Sequence, residues 1–293
     1  MCDPIFSVTF GQTTRQSAYA ALGAYAIELW RFGLKQAWAC LFGGTLLALI
    51  LLTGYWYPFQ SLHRYDFLFL AAVAVQVLLL AFRLESLEEA RIILVFHLVA
   101  MVMEVFKTSN AIGAWHYPGE AVLKIGNVPL FAGFMYSAVG SYIARIWRIF
   151  DFRFSAYPPM KPTWALAALI YLNFFTHHFT YDIRWWLVAA SVQMFGRSWI
   201  WYTPGSVPRR MPLVVGWLLV AVFIWFAENI GTFARVWVYP SQEGLWTPVS
   251  PQKIVAWYLL MLISFILVSM VHRPVVTRAE QPSGEPDPER LPG

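Results

Sequence analysis

Apolar residues run in long blocks along this chain, separated by short clusters of proline, glycine, charge and aromatic residues. A bilayer core needs about 20 mostly apolar residues per helix. Eight blocks meet that need, at 37–57, 66–83, 89–107, 128–147, 163–180, 183–202, 211–232 and 252–272. The fifth is the least regular, because it ends in Thr176-His177-His178. Ahead of them, residues 17–36 are helical in composition but carry Glu28, Arg31 and Lys35. That mixture predicts an interfacial helix, or an extension of the first span. Residues 1–16 read as a short arm without the basic start and apolar core of a cleavable signal peptide. Residues 274–293, rich in Pro, Glu, Arg and Gly, are predicted to form a disordered tail.

Composition moves this pattern into one class. Of the 293 residues, 59% are hydrophobic and 13% charged, where a soluble domain carries about 25% charged residues. The chain is therefore expected to be an all-α polytopic membrane protein. Its net charge of +5 is no argument for a nucleic-acid partner, because the basic residues follow the expected loops. With the N-terminus placed inside, fifteen of the 21 Lys and Arg residues fall on inner segments. That bias predicts both termini cytoplasmic, an even number of spans, and a bacterial inner-membrane location. Cys2 and Cys40, one terminal and one in an apolar block, do not make a disulfide framework.

Four features recur in the same order. Tyr65-Asp66 is matched by Tyr181-Asp182, Gln76 by Gln193, Glu104 by Glu228, and Trp115-x-Tyr117-Pro by Trp237-x-Tyr239-Pro, at offsets of 116, 117, 124 and 122 residues. The matches predict a parallel 4+4 internal repeat of about eight transmembrane helices. Its parts are an N-terminal arm and interfacial helix over 1–36, a first four-helix repeat over 37–150, a second over 151–273, and the tail over 274–293. A pseudo-twofold axis along the membrane normal would then bring Glu104 and Glu228 towards one central cavity.

Carboxylates at membrane depth are costly and mark function by default. Glu104 and Glu228 are the leading catalytic candidates, with Asp182 and His97 as further members. Two buried carboxylates side by side repel, which favours one of them staying protonated as a general acid. Lys107, Trp115, His116, Tyr117, Trp237, Tyr239, Gln76 and Gln193 are candidates for binding substrate. The bland readings are hydrogen bonding between helices for the glutamines and an interfacial aromatic belt for the Trp and Tyr residues. If a metal is bound at all, its ligands would come from His177, His178, Asp182 and His116. Adjacent histidines on a helix point about 100° apart, however, and no HxxxH spacing is present. Gly133, Ser137, Gly140 and Ser141 predict close helix packing.

The segments MEVFKTSNAIGAWHYP, VPLFAGFMYSAVGSYI, FFTHHFTYDIRWW and AENIGTFARVWVYP resemble the YoaT-type family of uncharacterised bacterial integral membrane proteins, over nearly all of residues 20–272. More distantly, Glu104, Gly113, Trp115, Tyr117, Gly126, Val128 and Pro129 follow an order similar to that of membrane carotenoid hydratases and small lycopene cyclases. Those act by protonating an isoprenoid double bond. The cyclases' Pro-x-Glu-Glu motif is absent here, which argues against cyclisation.

Three functions are compatible with these residues. One is a membrane-embedded enzyme working on an isoprenoid or other lipid by carboxylate acid–base chemistry. The second is a small-solute transporter, proton-coupled or not, and the third a metal-dependent lipid hydrolase. The partners implied are membrane lipids and an apolar or amphiphilic small molecule. The cofactor is unknown from sequence. The topology has a direct check: an alkaline phosphatase fusion after Lys124 is expected to be active, and a fusion active only as a cytoplasmic reporter would overturn the inside–outside assignment.

Overall fold

The computed structural model describes residues 9–276. Among them are nine α-helices: α1 (Thr9–Ala39), α2 (Leu41–Tyr55), α3 (Arg64–Ala81), α4 (Leu87–Lys107), α5 (Phe131–Ile149), α6 (Met160–Thr176), α7 (Arg184–Phe195), α8 (Leu213–Phe233) and α9 (Lys253–Val268). A helix lies in each of the eight apolar blocks, and a short antiparallel pair, β1 (Lys124–Ile125) and β2 (Val128–Pro129), precedes α5. Two of them, α3 and α8, are each long and apolar enough to cross a membrane. The pair 22–39 and 41–55, bent by 72° at the junction of α1 and α2, makes a third only if the two pieces are one broken span. The first helix already runs from Thr9, inside the stretch expected to be an arm, while residues 1–8 and 277–293 lie outside the described residues.

Helix boundaries follow local chemistry. Ser86 opens α4 with a capping box: its hydroxyl accepts from the Glu89 N–H at 3.1 Å and the Glu89 carboxylate accepts from the Ser86 N–H at 2.7 Å. The block expected at 183–202 does not hold as one helix. It stops at Phe195, Gly196-Arg197-Ser198 intervenes, and β4 (Trp199–Tyr202) follows. That strand pairs antiparallel with both β3 (Arg153–Phe154) and β5 (Arg209–Pro212), in the order β3-β4-β5. Aromatic and β-branched residues in Trp-Ile-Trp-Tyr suit a half-buried strand better than a helix. Val276 joins the same sheet through a bridge to Phe154, so the chain stays ordered just past the expected start of the tail.

Helix α5 is the central packing element. It lies against α4 through its small residues: the Ser137 hydroxyl donates to the Ile93 carbonyl at 3.0 Å, and a Cβ at Gly140 would stand 2.9 Å from the Phe96 ring. The other pairings form a pattern. Just as α4 packs along α5, α8 packs along α9. In the same way α2 packs on α3 and α5, and α6 on α7 and α9. Helix α2 meets α8, and α6 meets α4; α5 and α9 meet each other. Exchanging α2–α5 for α6–α9 maps these pairings onto one another.

One polar cluster closes the end of the bundle where α3 turns into α4. The Glu85 carboxylate, 4% exposed, accepts from Gln76 Nε2 at 2.5 Å, from Ser141 Oγ, and from Arg145 Nε at 3.3 Å. Arg145, counted from sequence among the loop charges, is 1% exposed, and its second contact is the Trp38 carbonyl at 3.2 Å. Removing one partner of a buried ion pair leaves an uncompensated charge. Arg145→Ala is therefore expected to cost about 3–5 kcal/mol, read from the unfolding midpoint in detergent. Arg153→Ala, which breaks an exposed pair with Asp151, is expected to cost less than about 1 kcal/mol.

Candidate functional site

Towards the opposite end of α4, about 26 Å along the helix from Leu87 at 1.5 Å per residue, Glu104 is 1% exposed and held by three donors. Trp115 Nε1 donates to Oε2 at 2.9 Å, Tyr117 Oη to Oε2 at 2.7 Å, and Tyr136 Oη to Oε1 at 2.6 Å. Glu228, 3% exposed on α8, is held in the same way. Tyr239 Oη donates to Oε1 at 2.5 Å and Trp257 Nε1 to Oε2 at 2.7 Å. Each carboxylate thus takes a tyrosine from the Trp-x-Tyr-Pro loop that follows its helix, and an aromatic donor from the next helix. Burial, and then the adjacent carboxylate, holds the loop phenols of Tyr117 and Tyr239 well above the ordinary range. Both hydroxyls therefore keep their protons and act as donors.

The two loops also pair with each other. His116 and Val238 exchange both backbone hydrogen bonds, at 3.0 and 2.9 Å. Each is the middle residue of its Trp-x-Tyr, so the loops meet in equivalent register. The Trp115 and Tyr239 rings lie 6.2 Å apart, and the Tyr136 and Trp257 rings 6.1 Å apart. Behind them Lys253 Nζ sits 4.2 Å from the Tyr239 ring centre and 5.6 Å from that of Trp115, within cation–π range.

Helix α3 anchors both loops. Tyr65 Oη donates to the Val236 carbonyl at 2.6 Å, and the Asp66 carboxylate accepts from the Val122 and Leu123 N–H groups. The approach of Trp237 to α8 requires a residue without a side chain, because a Cβ at Gly231 would collide with its indole ring.

Both glutamates open into one cavity of ≈510 Å³. Helices α2, α5, α8 and α9 wall it with apolar side chains, and Phe32 and Gln36 of α1 lie at its other end. From Glu228 to Leu213 it follows α8 for about 22 Å. Trp115, Tyr117, Trp237 and Tyr239 line it as well.

The other candidates are not brought there. His97 packs its ring 4.7 Å from that of Phe134 and over Gly133, outside the cavity. Lys107 is buried, and bonds His178 Nε2 at 2.7 Å and His177 Nε2 at 3.3 Å. Asp182 is taken up by Arg184 and by Asn173 Nδ2 at 3.2 Å. Burial opposes the charge on this carboxyl, yet those hydrogen bonds hold it below the usual carboxylate range. The side chain of His116 is exposed, and Gln193 is exposed on α7. Gln76 belongs to the Glu85 cluster. His177, His178, Asp182 and His116 therefore do not form a ligand set, and no three His, Cys, Asp or Glu residues converge among the described residues.

Three site residues are absent from the sequence candidates: Tyr136, Trp257 and Lys253. Tyr136 and Trp257 carried a signal, since they stand 121 residues apart, beside the 122 of the loop motifs.

A family model described as a protein of unknown function, DUF817, matches residues 28–265. The chain belongs to the DUF817 family. The uncharacterised protein YoaT of Bacillus subtilis (strain 168) is 40% identical over 242 residues, covering 83% of this chain and 90% of YoaT. No solved structure matches it. The DUF817 match takes in both carboxylates, all five of their donors and Lys253.

The donors exist for the carboxylates, and that can be measured. Tyr136→Phe is expected to cost about 1–3 kcal/mol, the penalty for a buried acceptor losing its partner. In a Glu104→Leu background, where no carboxylate needs the donor, the cost should largely vanish in a double-mutant cycle. An equal cost in both backgrounds would show that Tyr136 acts through packing alone.

Proposed function

We propose that this DUF817 protein is a membrane-embedded enzyme that acts on an isoprenoid or other lipid by carboxylate acid–base chemistry. One observation carries the reading: two buried, multiply hydrogen-bonded carboxyl groups stand at one end of a long apolar cavity. Apolar walls select a hydrocarbon ligand, and few but convergent polar groups fix which of its atoms is presented. Glu104 is the proton donor in this reading, with Tyr136 and Tyr117 orienting its carboxyl. Glu228 is the partner base that takes a proton from water or from the substrate. Trp115, Trp237, Tyr239 and Trp257 surround that point with aromatic faces suited to a developing carbocation.

The architecture proposed with it is eight spans, α2 to α9, in two parallel four-helix halves, with both termini cytoplasmic and the carboxylates towards the outer face of a bacterial inner membrane. The paired helix contacts and the His116–Val238 bridge support the two halves. The basic residues on inner segments support the orientation. The 72° bend between α1 and α2 supports α1 as a helix lying near the interface.

A transporter is the second reading, favoured by the same paired packing. A smaller pocket of ≈40 Å³, between α4, α6 and α9, occupies the place equivalent to the large cavity, as a closed counterpart would in alternating access.

Mass spectrometry of an organic extract of the purified protein separates the two. A defined lipid enriched over bulk membrane is expected, converted by wild type and accumulating unconverted in Glu104→Gln. Turnover should fall by about 10²–10⁴-fold in Glu104→Gln and in Glu228→Gln. Bulk phospholipid alone in every extract would end the enzyme reading, and solute flux in proteoliposomes, lost in the same variants, would replace it.

A further inference from the structure

The cavity is not fully enclosed. Leu219 and Phe223 of α8 line it and are 58% and 72% exposed. Gly44 of α2 lines it too and is exposed, and a Cβ there would meet nothing within 4 Å. The two helices are tied at the carboxylate end. There Arg64 bonds the Ile50 carbonyl of α2 at 2.8 Å and the Ala234 carbonyl beyond α8 at 3.0 Å, and Gly54 lies close to Ala234. Further from the carboxylates, the exposed cavity-lining residues Gly44, Leu219 and Phe223 frame a gap of glycine and apolar side chains. Helix α1 crosses below the gap. It is fastened by Arg209 to Glu28 at 2.5 and 2.7 Å and by Lys35 to the Thr203 carbonyl at 2.7 Å. Its Gln36, bonded to Tyr142 at 2.8 Å, lines the bottom of the cavity together with Cys40.

We infer that the gap between α2 and α8 is a lateral portal, and that the ligand is a lipid with one linear hydrocarbon chain. Such a lipid enters from the bilayer with its apolar end leading towards Glu104 and Glu228. Two features fix the class. The cavity runs about 22 Å while enclosing ≈510 Å³, a long and narrow shape that fits a single extended chain rather than a compact solute or a two-chain lipid. The opening is apolar on both sides, so a solute arriving from water would have to cross greasy surface to reach it. The polar group of the lipid then stays at the α1 end. Gln36 and Tyr142 offer hydrogen bonds there, and the Lys35 ammonium lies 5.3 Å from the ring of Phe150, a cavity-lining residue. This deepens the lipid reading above by naming the route and the shape of the substrate, and rests on that reading for the chemistry alone.

Cys40 is a native reporter, because it lines the cavity below the portal. In a Cys2→Ser background reconstituted into liposomes, a long-chain N-alkyl maleimide dissolved in the bilayer is expected to modify Cys40. A sulfonated maleimide confined to water is expected to modify it far more slowly. Gly44→Trp fills the open space at the gap and should slow the lipophilic reaction by about tenfold, a rise of ~1.4 kcal/mol in the barrier to entry. Leu219→Trp, placed on the other helix, should do the same, which guards against one variant failing to fold. Leu29→Trp, on an exposed position of α1 away from the gap, should react at the parent rate.

Unchanged rates in both gap variants, or faster labelling by the sulfonated reagent, would overturn the portal. Glu104→Gln should label as the parent does, because labelling reads access and not chemistry. Loss of the portal result therefore leaves the acid–base reading standing, and retained turnover in the glutamine variants would remove that reading without touching the portal.

Discussion

A carboxylate withdrawn from water has to be given hydrogen-bond donors, and much of one end of this molecule is arranged around that need. Glu104 and Glu228 sit in the last turns of α4 and α8, facing inward. Neither helix can supply the donors, so each chain folds back from its helix end and brings a tyrosine hydroxyl home over the carboxylate, with Trp115 Nε1 joining it at Glu104. The fold-back sets the loop path, and the path places His116 and Val238 side by side to close the backbone bridge. The next helix must then pass close enough for Tyr136 or Trp257 to complete the set. Leaving a buried carboxyl group without its hydrogen-bond partners would cost about 1–3 kcal/mol, so these positions depend on one another. Burying a hydrocarbon side chain instead of either glutamate would remove the reason for the whole arrangement.

The contrast with the Glu85 cluster gives this its meaning. Both ends of α4 carry a buried carboxylate with several donors. At Glu85 a guanidinium sits among the donors, the group is buried, and it lines neither of the two cavities described above. That is how a structural ion pair is built. At Glu104 the donors are neutral tyrosine and tryptophan groups, with Lys107 turned away to His177 and His178, and the carboxyl borders empty apolar space.

Much of this plan was legible in the sequence. Apolar block length located eight helices, seven of them to within a few residues at both ends, because burial in any apolar medium imposes it. The recurrence of Glu and Trp-x-Tyr-Pro located both loops, since a motif that serves a carboxylate must keep its distance from it. What stayed hidden depended on partners far away in the chain. Asp182 and His177 looked available, but Arg184 and Lys107 occupy them, and nothing local signals that occupation. His97 shares a helix face with Glu104, yet the missing side chain of Gly133 on another helix draws its ring aside. Arg145 read as a loop charge because its partner Glu85 belongs to a different turn. Strand β4 was lost inside an apolar block because a short apolar run has no period long enough to tell strand from helix.

The helix pairings of α2–α5 and α6–α9 match, but the two sets do not end alike. Equivalent packing would give equivalent spaces against α5 and α9, and instead one is ≈510 Å³ and the other ≈40 Å³. The donors differ in the same sense: Glu104 has three and Glu228 two, and the tyrosine of one half is replaced by tryptophan in the other at Tyr136 and Trp257. A phenol can pass a proton on, whereas an indole N–H only donates. Two carboxyl groups in identical surroundings would share their proton evenly and give neither a fixed role. In the acid–base reading proposed above, unequal surroundings would separate an acid from a base, and the larger cavity is the one that would take the ligand. The departure from symmetry, more than the symmetry, is therefore the part of this architecture that points to chemistry.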